Sequence, residues 1–183
     1  MKIIFLGIQG SGKSTQAKLA AEKLNLPYIE TSQLLREKSK GADEDAKEIA
    51  QAFEKGNLVV DEITIRALKE RLKNADCLNG YILDGYPRNE KQFQNLDPDI
   101  DKVFYVKVSD EEAVKRLSKR ARHDDTGEAL KRRIGLYHLQ TEPMLDKFRE
   151  KGILEEVDGE RPIEEIAEDI ESKIADYAKE HAS

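Results

Sequence analysis

An α/β fold built on a parallel sheet is what this sequence predicts, and three observations predict it. Short apolar, β-leaning runs recur at residues 3–6, 28–29, 81–83, 103–108 and 153–157. Longer stretches with helical spacing lie between them. A glycine-rich segment follows the first run and precedes the first helical stretch. Strands alternating with helices argue for a parallel sheet covered on both faces. Ligands of such sheets sit beyond the carboxyl ends of the strands.

The elements follow in order. After the strand Ile3-Ile4-Phe5-Leu6, the residues Ala17, Ala20, Ala21 and Leu24 share one helical face, closed by Asn25 and Pro27. Ile65, Leu68 and Leu72 give a second helical face, with Asp61 as its expected N-cap. The run at 81–83 ends in Asp84. In the last helix Ile163, Ile166, Ile170, Ile174 and Tyr177 step by 3, 4, 4 and 3, one apolar stripe with charges elsewhere. Pro162 suits its first turn.

With 183 residues the chain has room for one domain with a sizeable core. Apolar residues make up 38% and charged residues 37%, the balance of a soluble, highly charged protein. A net charge of −6 argues against a general nucleic-acid binder. No apolar run approaches the roughly 20 residues of a membrane span, and no secretory signal is visible. The single cysteine, Cys77, cannot form an internal disulfide or a cysteine-rich zinc site. It reads as a small apolar residue, and a cytoplasmic location is expected.

The segment GIQGSGKST, Gly7 to Thr15, matches the P-loop pattern Gly-x-x-x-x-Gly-Lys-Ser. Glycines let backbone N–H groups curl around an anion, and the following helix adds its N-terminal dipole. Lys13 can reach outer phosphates, and the Ser14 hydroxyl can face Mg²⁺. A strand before and a helix after meet the context the motif requires. The signal points to a nucleoside triphosphate without saying switch, motor or kinase. The expected fold is therefore the three-layer fold of P-loop NTPases.

A second stretch, GYILDGYPRNEKQF, places Asp84 at a strand end on the same rim. Asp84 can hold Mg²⁺ or its waters, and Arg88 can grip a phosphate with its planar fork. Asp-Gly-Tyr-Pro fits a plain turn equally well. Residues 114–134 then carry Arg116, Arg120, Arg122, Arg132 and Arg133. Arg116 and Arg120 lie four apart on one helix face, and Asp124 and Asp125 can pair with arginines and aim them. Such a run is commonly a solvated face. Beside a P-loop it also suits a phosphoryl transition state, whose charge spreads over several oxygens.

These segments resemble the adenylate kinases, of the nucleoside monophosphate kinase family. GIQGSGKSTQ resembles the family's glycine-rich loop, and YIETSQLLR its acceptor segment. GNLVVDE resembles the turn lining the acceptor base, and YILDGYPRNEKQ the Leu-Asp-Gly-Phe-Pro-Arg signature. RHDD, Arg133 and YHLQTEPML resemble the helix after the lid, and VDGERPIEEI the segment beside the donor adenine.

The resemblance implies a reversible, Mg²⁺-dependent transfer, ATP + AMP to two ADP, on a five-stranded parallel sheet with helices on both faces. It implies one domain over residues 1–183, with an AMP-binding helical segment at 31–61 and a vestigial lid loop at 120–125. Gly10, Ser11, Gly12, Lys13, Ser14 and Thr15 would hold the ATP phosphates, with Arg120 and Arg161 flanking the donor adenosine. Thr31, Arg36, Asn57, Leu58, Val59, Gly85, Tyr86, Pro87, Arg88 and Gln92 would bind AMP, together with Arg122 and Arg133. Lys13, Arg88, Arg116, Arg120, Arg122 and Arg133 would surround the transferred group. Ser14 and, through water, Asp84 would serve Mg²⁺.

Two departures stand out. Gln33 occupies the family's carboxylate position. Only Ala121, Arg122 and His123 separate Arg120 from Asp124, so the lid is extremely short and carries no zinc site. A UMP or CMP kinase, and a P-loop switch or ATPase that has lost transfer, are the alternatives. Expected partners are ATP, AMP and ADP, with no nucleic acid and no membrane. A monomer is expected, with the oligomeric state left open.

Overall fold

The chain builds a sheet whose order reverses at its first strand. The computed structural model describes residues 1–54, 58–120 and 127–181, except the side chains of Arg120 and of residues 127–129. The strands are β1 (Lys2–Leu6), β2 (Tyr28–Glu30), β3 (Tyr81–Asp84), β4 (Lys102–Lys107) and β5 (Leu154–Asp158), in the order β2-β3-β1-β4-β5. Every neighbouring pair is parallel. From β1 the chain goes first to the edge strand β2, returns inward to β3 beside β1, and then crosses to β4 and β5 on the other side, which opens a crevice beyond the carboxyl end of β1.

Helices α1 (Lys13–Leu24) and α9 (Ile163–Glu180) cover one face. The alternating strand residues Ile3, Phe5, Ile82, Phe104 and Val106 pack there against Ala17, Ala20, Ala21, Ile166, Ile170 and Ile174. The alanines let α1 lie close to the sheet. On the other face Ile4, Leu6, Leu83 and Tyr105 meet α4 (Asp61–Arg71), the segment after α7 (Gly127–Leu136) and α8 (Leu145–Glu150). Between these elements run α2 (Thr31–Lys38), α3 (Glu44–Glu54), α5 (Glu90–Gln94) and α6 (Asp110–Arg120). Leu35, Ile49, Ile63 and Ala67 form a small cluster of their own under α2, α3 and α4. The segment at 31–61 therefore has an apolar anchor separate from the two faces of the sheet.

Each expected strand is present, shifted by a residue or two at its ends. Asn25 ends α1 in a left-handed conformation, φ 51°, as its position implied. Two expectations need correction. Ile163, the first residue of α9, is 51% exposed, so the buried stripe is Ile166, Ile170 and Ile174. Asp61 does not cap α4. Val60 takes that place, and the Asp61 carboxylate accepts instead from Asn89 Nδ2 and Gln92 Nε2.

Candidate active site at the phosphate rim

The glycine-rich loop is built so tightly that side chains are excluded. A Cβ on Gly7 would lie 2.6 Å from both Ser11 Oγ and the Val106 carbonyl oxygen. On Gly10, at φ +92°, it would lie 2.7 Å from the Ala113 carbonyl oxygen of α6. The fully buried Ser11 closes the turn by donating its N–H to Ile8 O at 3.1 Å. Gly12 starts α1 with no side-chain cap. The helix N-terminus thus presents its amides and dipole to the crevice, the arrangement that receives an anion.

Strand β3 carries Asp84 to the same rim, in register with Phe5 of β1 and Glu30 of β2. Asp84 is 1% exposed, and Tyr28 Oη donates to its Oδ2 at 2.7 Å. Its other oxygen, Oδ1, is buried and has no hydrogen-bond partner. A buried carboxylate oxygen without a partner is costly unless something is bound there. The Ser14 hydroxyl bears on the Tyr28 hydroxyl and opposes the rise of its pKa, so P-loop helix, β2 and β3 come together at this rim. Hard oxygen donors with few direct protein ligands are what hydrated Mg²⁺ takes, and these residues fit it. Burial, then Asp84, then Glu30 push the Tyr28 phenol far up, so it stays protonated and donates. Burial raises the Glu30 pKa, but the Ser32 hydroxyl, Arg36, Lys18 and Tyr28 outweigh it and hold the group below its ordinary value.

Arg88 faces this carboxylate across Gly85. Its Nε donates to Gly85 O at 2.9 Å, its N–H to Gln92 Oε1 at 2.8 Å, and its carbonyl accepts from Thr141 Oγ1 at 2.8 Å. A Cβ on Gly85 would lie 3.5 Å from Arg88 Nη2 and 3.9 Å from Lys13 Cε, so the two cationic side chains converge above a residue without one. Arg88 opens onto the crevice with protein crowding the rest of its surface. That crowding lowers its pKa, Asp84 and Glu30 oppose it, and Arg133 and Arg36 add to it. The guanidinium remains charged. Three arginines from β3–α5, α7 and α2 therefore share one field beside the P-loop.

A sequence model described as "Adenylate kinase" matches residues 5–153. Curated relatives of the same name match nearly the whole chain. One from Archaeoglobus fulgidus is 37% identical, covering 94% of this chain and 97% of its own. One from Leptospira biflexa is 38% identical, covering 94% and 99%, and one from Bifidobacterium longum is 38% identical, covering 95% and 100%. The chain belongs to the adenylate kinase family. The Archaeoglobus alignment runs over 210 residues against 183 here, so that adenylate kinase carries insertions relative to this one.

Several residues expected from the adenylate kinase resemblance make contacts within the chain. Gln92 is 5% exposed with both ends of its amide engaged, by Arg88 N–H and by Asp61 at 2.6 Å. Tyr86 is 1% exposed in the core and donates to Gln92 O at 3.1 Å, and burial pushes its phenol up to about 12. Pro87 is buried beside it. Arg116 donates to Glu112, to Gly159 O at 2.9 Å and to Ser11 O at 3.4 Å, which ties the loop's backbone to the turn after β5. Arg161 pairs with Asp169 at 2.6 Å. Thr31 is buried, with its hydroxyl 3.4 Å from Asp84 O. Leu58 is exposed, and Val59 packs against the small cluster under α2 to α4. Asn57, Arg122, the Arg120 side chain and the lid loop at 121–125 lie outside the described residues.

Four residues were missed. Tyr28 and Glu30 stand at the end of an edge strand too short to advertise a site. Thr141 lies in a π-helical turn, Tyr137–Thr141, that aims it at Arg88. Gln16 is buried and joins α1 to α9 by donating to Ile163 O at 3.0 Å. Two surface depressions of ≈ 500 and ≈ 480 Å³ flank α5, away from the glycine-rich loop.

Proposed function

We propose that the protein transfers the terminal phosphoryl group of ATP to AMP, giving two ADP, and runs the reaction in both directions. The observation that carries this reading is the convergence of Lys13 and Arg88 over Gly85, the residue next to Asp84, whose buried Oδ1 has no hydrogen-bond partner. A P-loop alone needs no second cationic wall. A kinase with a phosphate acceptor needs one, because donor and acceptor phosphates are both anionic and must meet.

The amides of Gly10 to Thr15 cradle the donor phosphates, and Lys13 bridges the outer ones. Arg88, with Arg36 and Arg133, holds the acceptor phosphate in line with the donor. A phosphate oxygen of AMP bonds to the γ-phosphorus while the β–γ bridging bond breaks and its electron pair leaves with ADP. The nucleophile is already an anion, so no general base is required. Positioning and positive charge supply the rate. Arg116 acts on the loop's backbone, and Gln92 and Asp61 act by fixing Arg88. By the family resemblance, Arg120 and Arg122 would complete the cationic wall, Arg161 would serve the donor adenosine, and Thr31 with residues 57–59 would line the acceptor base. Ser14 and Asp84 would hold Mg²⁺, directly and through water, and the ion would neutralise phosphate charge and orient the donor.

No helix among the described residues is long and apolar enough to cross a membrane. A cytoplasmic location and a monomer fit this reading. The test incubates the protein with ATP and each nucleoside monophosphate in turn and separates the products. ADP formed from AMP, with far less diphosphate formed from UMP or CMP, is the expected result. Equal use of UMP or CMP, or no diphosphate from any of them, overturns it.

A further inference from the structure

Glu30 is a carboxylate that the proposed reaction has not used. It ends β2 in register with Asp84, at the rim where the P-loop helix begins. Its Oε2 lies 3.4 Å from Tyr28 Oη, the hydroxyl that donates to Asp84 Oδ2 at 2.7 Å. A phenol has one proton to give, and Asp84 takes it at the shorter distance. Two anionic groups therefore stand on either side of one hydroxyl, with a single proton between them. Ser32 Oγ donates to the other Glu30 oxygen, and Arg36, Lys18 and Arg88 bear on its charge without a direct bond. Asp84 adds a second sign: its other oxygen, Oδ1, is buried and makes no hydrogen bond. Like charges held so close, with an acceptor left open, are stabilised by a cation or its waters. Gln33, the next polar side chain along α2 after Ser32, is turned away and donates to Glu37 at 3.0 Å.

We propose that Glu30 is a positioning residue for the hydrated divalent cation of the donor site, acting with Asp84 through water, and that Tyr28 holds the two carboxylates in place. The proposal rests on the reading of this rim as a Mg·ATP site. It extends the metal's surroundings from the P-loop and β3 to the edge strand β2.

The test titrates Mn²⁺ into the full-length protein carrying a non-hydrolysable ATP analogue, and reads bound metal by electron paramagnetic resonance. Analogue binding without metal and AMP binding are measured separately by calorimetry. Glu30→Gln keeps the shape and the Ser32 contact. It is expected to weaken the metal midpoint by about tenfold, the low end of losses for outer partners of a metal. Metal-free analogue binding and AMP binding should stay within twofold of wild type. Glu30→Asp should recover part of the loss, and Tyr28→Phe should show a smaller one. A Glu30→Gln midpoint within twofold of wild type overturns the proposal, as does a change confined to AMP affinity, which would assign Glu30 to Arg36 and Arg88. If Glu30→Gln does not fold, a wild-type midpoint in both Glu30→Asp and Tyr28→Phe overturns it equally. A wild-type protein with no metal-dependent step would instead overturn the donor-site reading beneath it.

Discussion

Replacing Gln92 with leucine separates two ways in which that residue can serve the acceptor. In the structure its amide is already used, with Oε1 accepting the Arg88 N–H at 2.8 Å and Nε2 donating to Asp61 at 2.6 Å. Leucine fills a similar volume but leaves the Arg88 N–H without its acceptor. Asp61 keeps the two bonds from Asn89. A buried donor left unpaired costs about 1–3 kcal/mol, and the part-buried Arg88 N–H takes most of that loss. At about 2 kcal/mol, a protein of this size should lose roughly 4–8 °C in Tm. Arg88 would also lose the contact that fixes its backbone, so the KM for AMP should rise about tenfold, or ~1.4 kcal/mol. Thermal unfolding and steady-state kinetics read both effects. An unchanged Tm with only relaxed base selectivity would refute the positioning argument and return Gln92 to direct reading of the base.

Three further outcomes are expected. Gly10→Ala places a Cβ 2.7 Å from Ala113 O at a φ of +92°; it should lower Tm by several degrees and weaken ATP binding at least tenfold by calorimetry, and wild-type values for both would mean the loop tolerates a side chain. Lys13→Ala should cut kcat by more than about tenfold, a loss above ~1.4 kcal/mol; a smaller loss would show that the loop does not hold the reacting phosphates. His138 contacts Glu142 at 2.7 Å and Asp110 at 3.0 Å, and the Glu142 hydrogen bond, with Asp110 assisting, raises its pKa. A raised folded-state value means the contribution is full below the unfolded value of about 6.5 and is lost as pH rises through the folded one. The stability gap between wild type and His138→Gln should thus be larger at pH 5.5 than at pH 8.5, and a gap independent of pH would contradict the pairing.

The sheet was legible because its central strands are buried on both faces and read as continuous apolar runs, as in residues 3–6 and 103–106. The P-loop was legible because its glycines answer a local steric demand: Gly7 and Gly10 have no room for a side chain. The rim position of Asp84 and Arg88 could be read from their place at and just after a strand end. What could not be read were partnerships across long sequence separations. Asp61 has the residue type of an N-cap, yet its carboxylate is drawn to Asn89 and Gln92, 28 and 31 positions away. Arg116 sits on an exposed helix face by periodicity, but it reaches Gly159 O, 43 positions on. Tyr28 and Glu30 belong to a strand of three residues, too short to show alternation, and only the pairing with β3 reveals what they face.

The most direct test of the central claim follows the phosphorus atom itself. ATP labelled at the γ-phosphate is given to the protein with unlabelled AMP and Mg²⁺, and the label is traced through nucleotides and inorganic phosphate. Donor and acceptor phosphates meeting between Lys13 and Arg88 predict that the label moves to the β-phosphate of ADP made from AMP. Little should reach inorganic phosphate while AMP is present. Label recovered mainly as inorganic phosphate, with AMP unconverted, would contradict the claim and leave a P-loop that hydrolyses ATP without an acceptor.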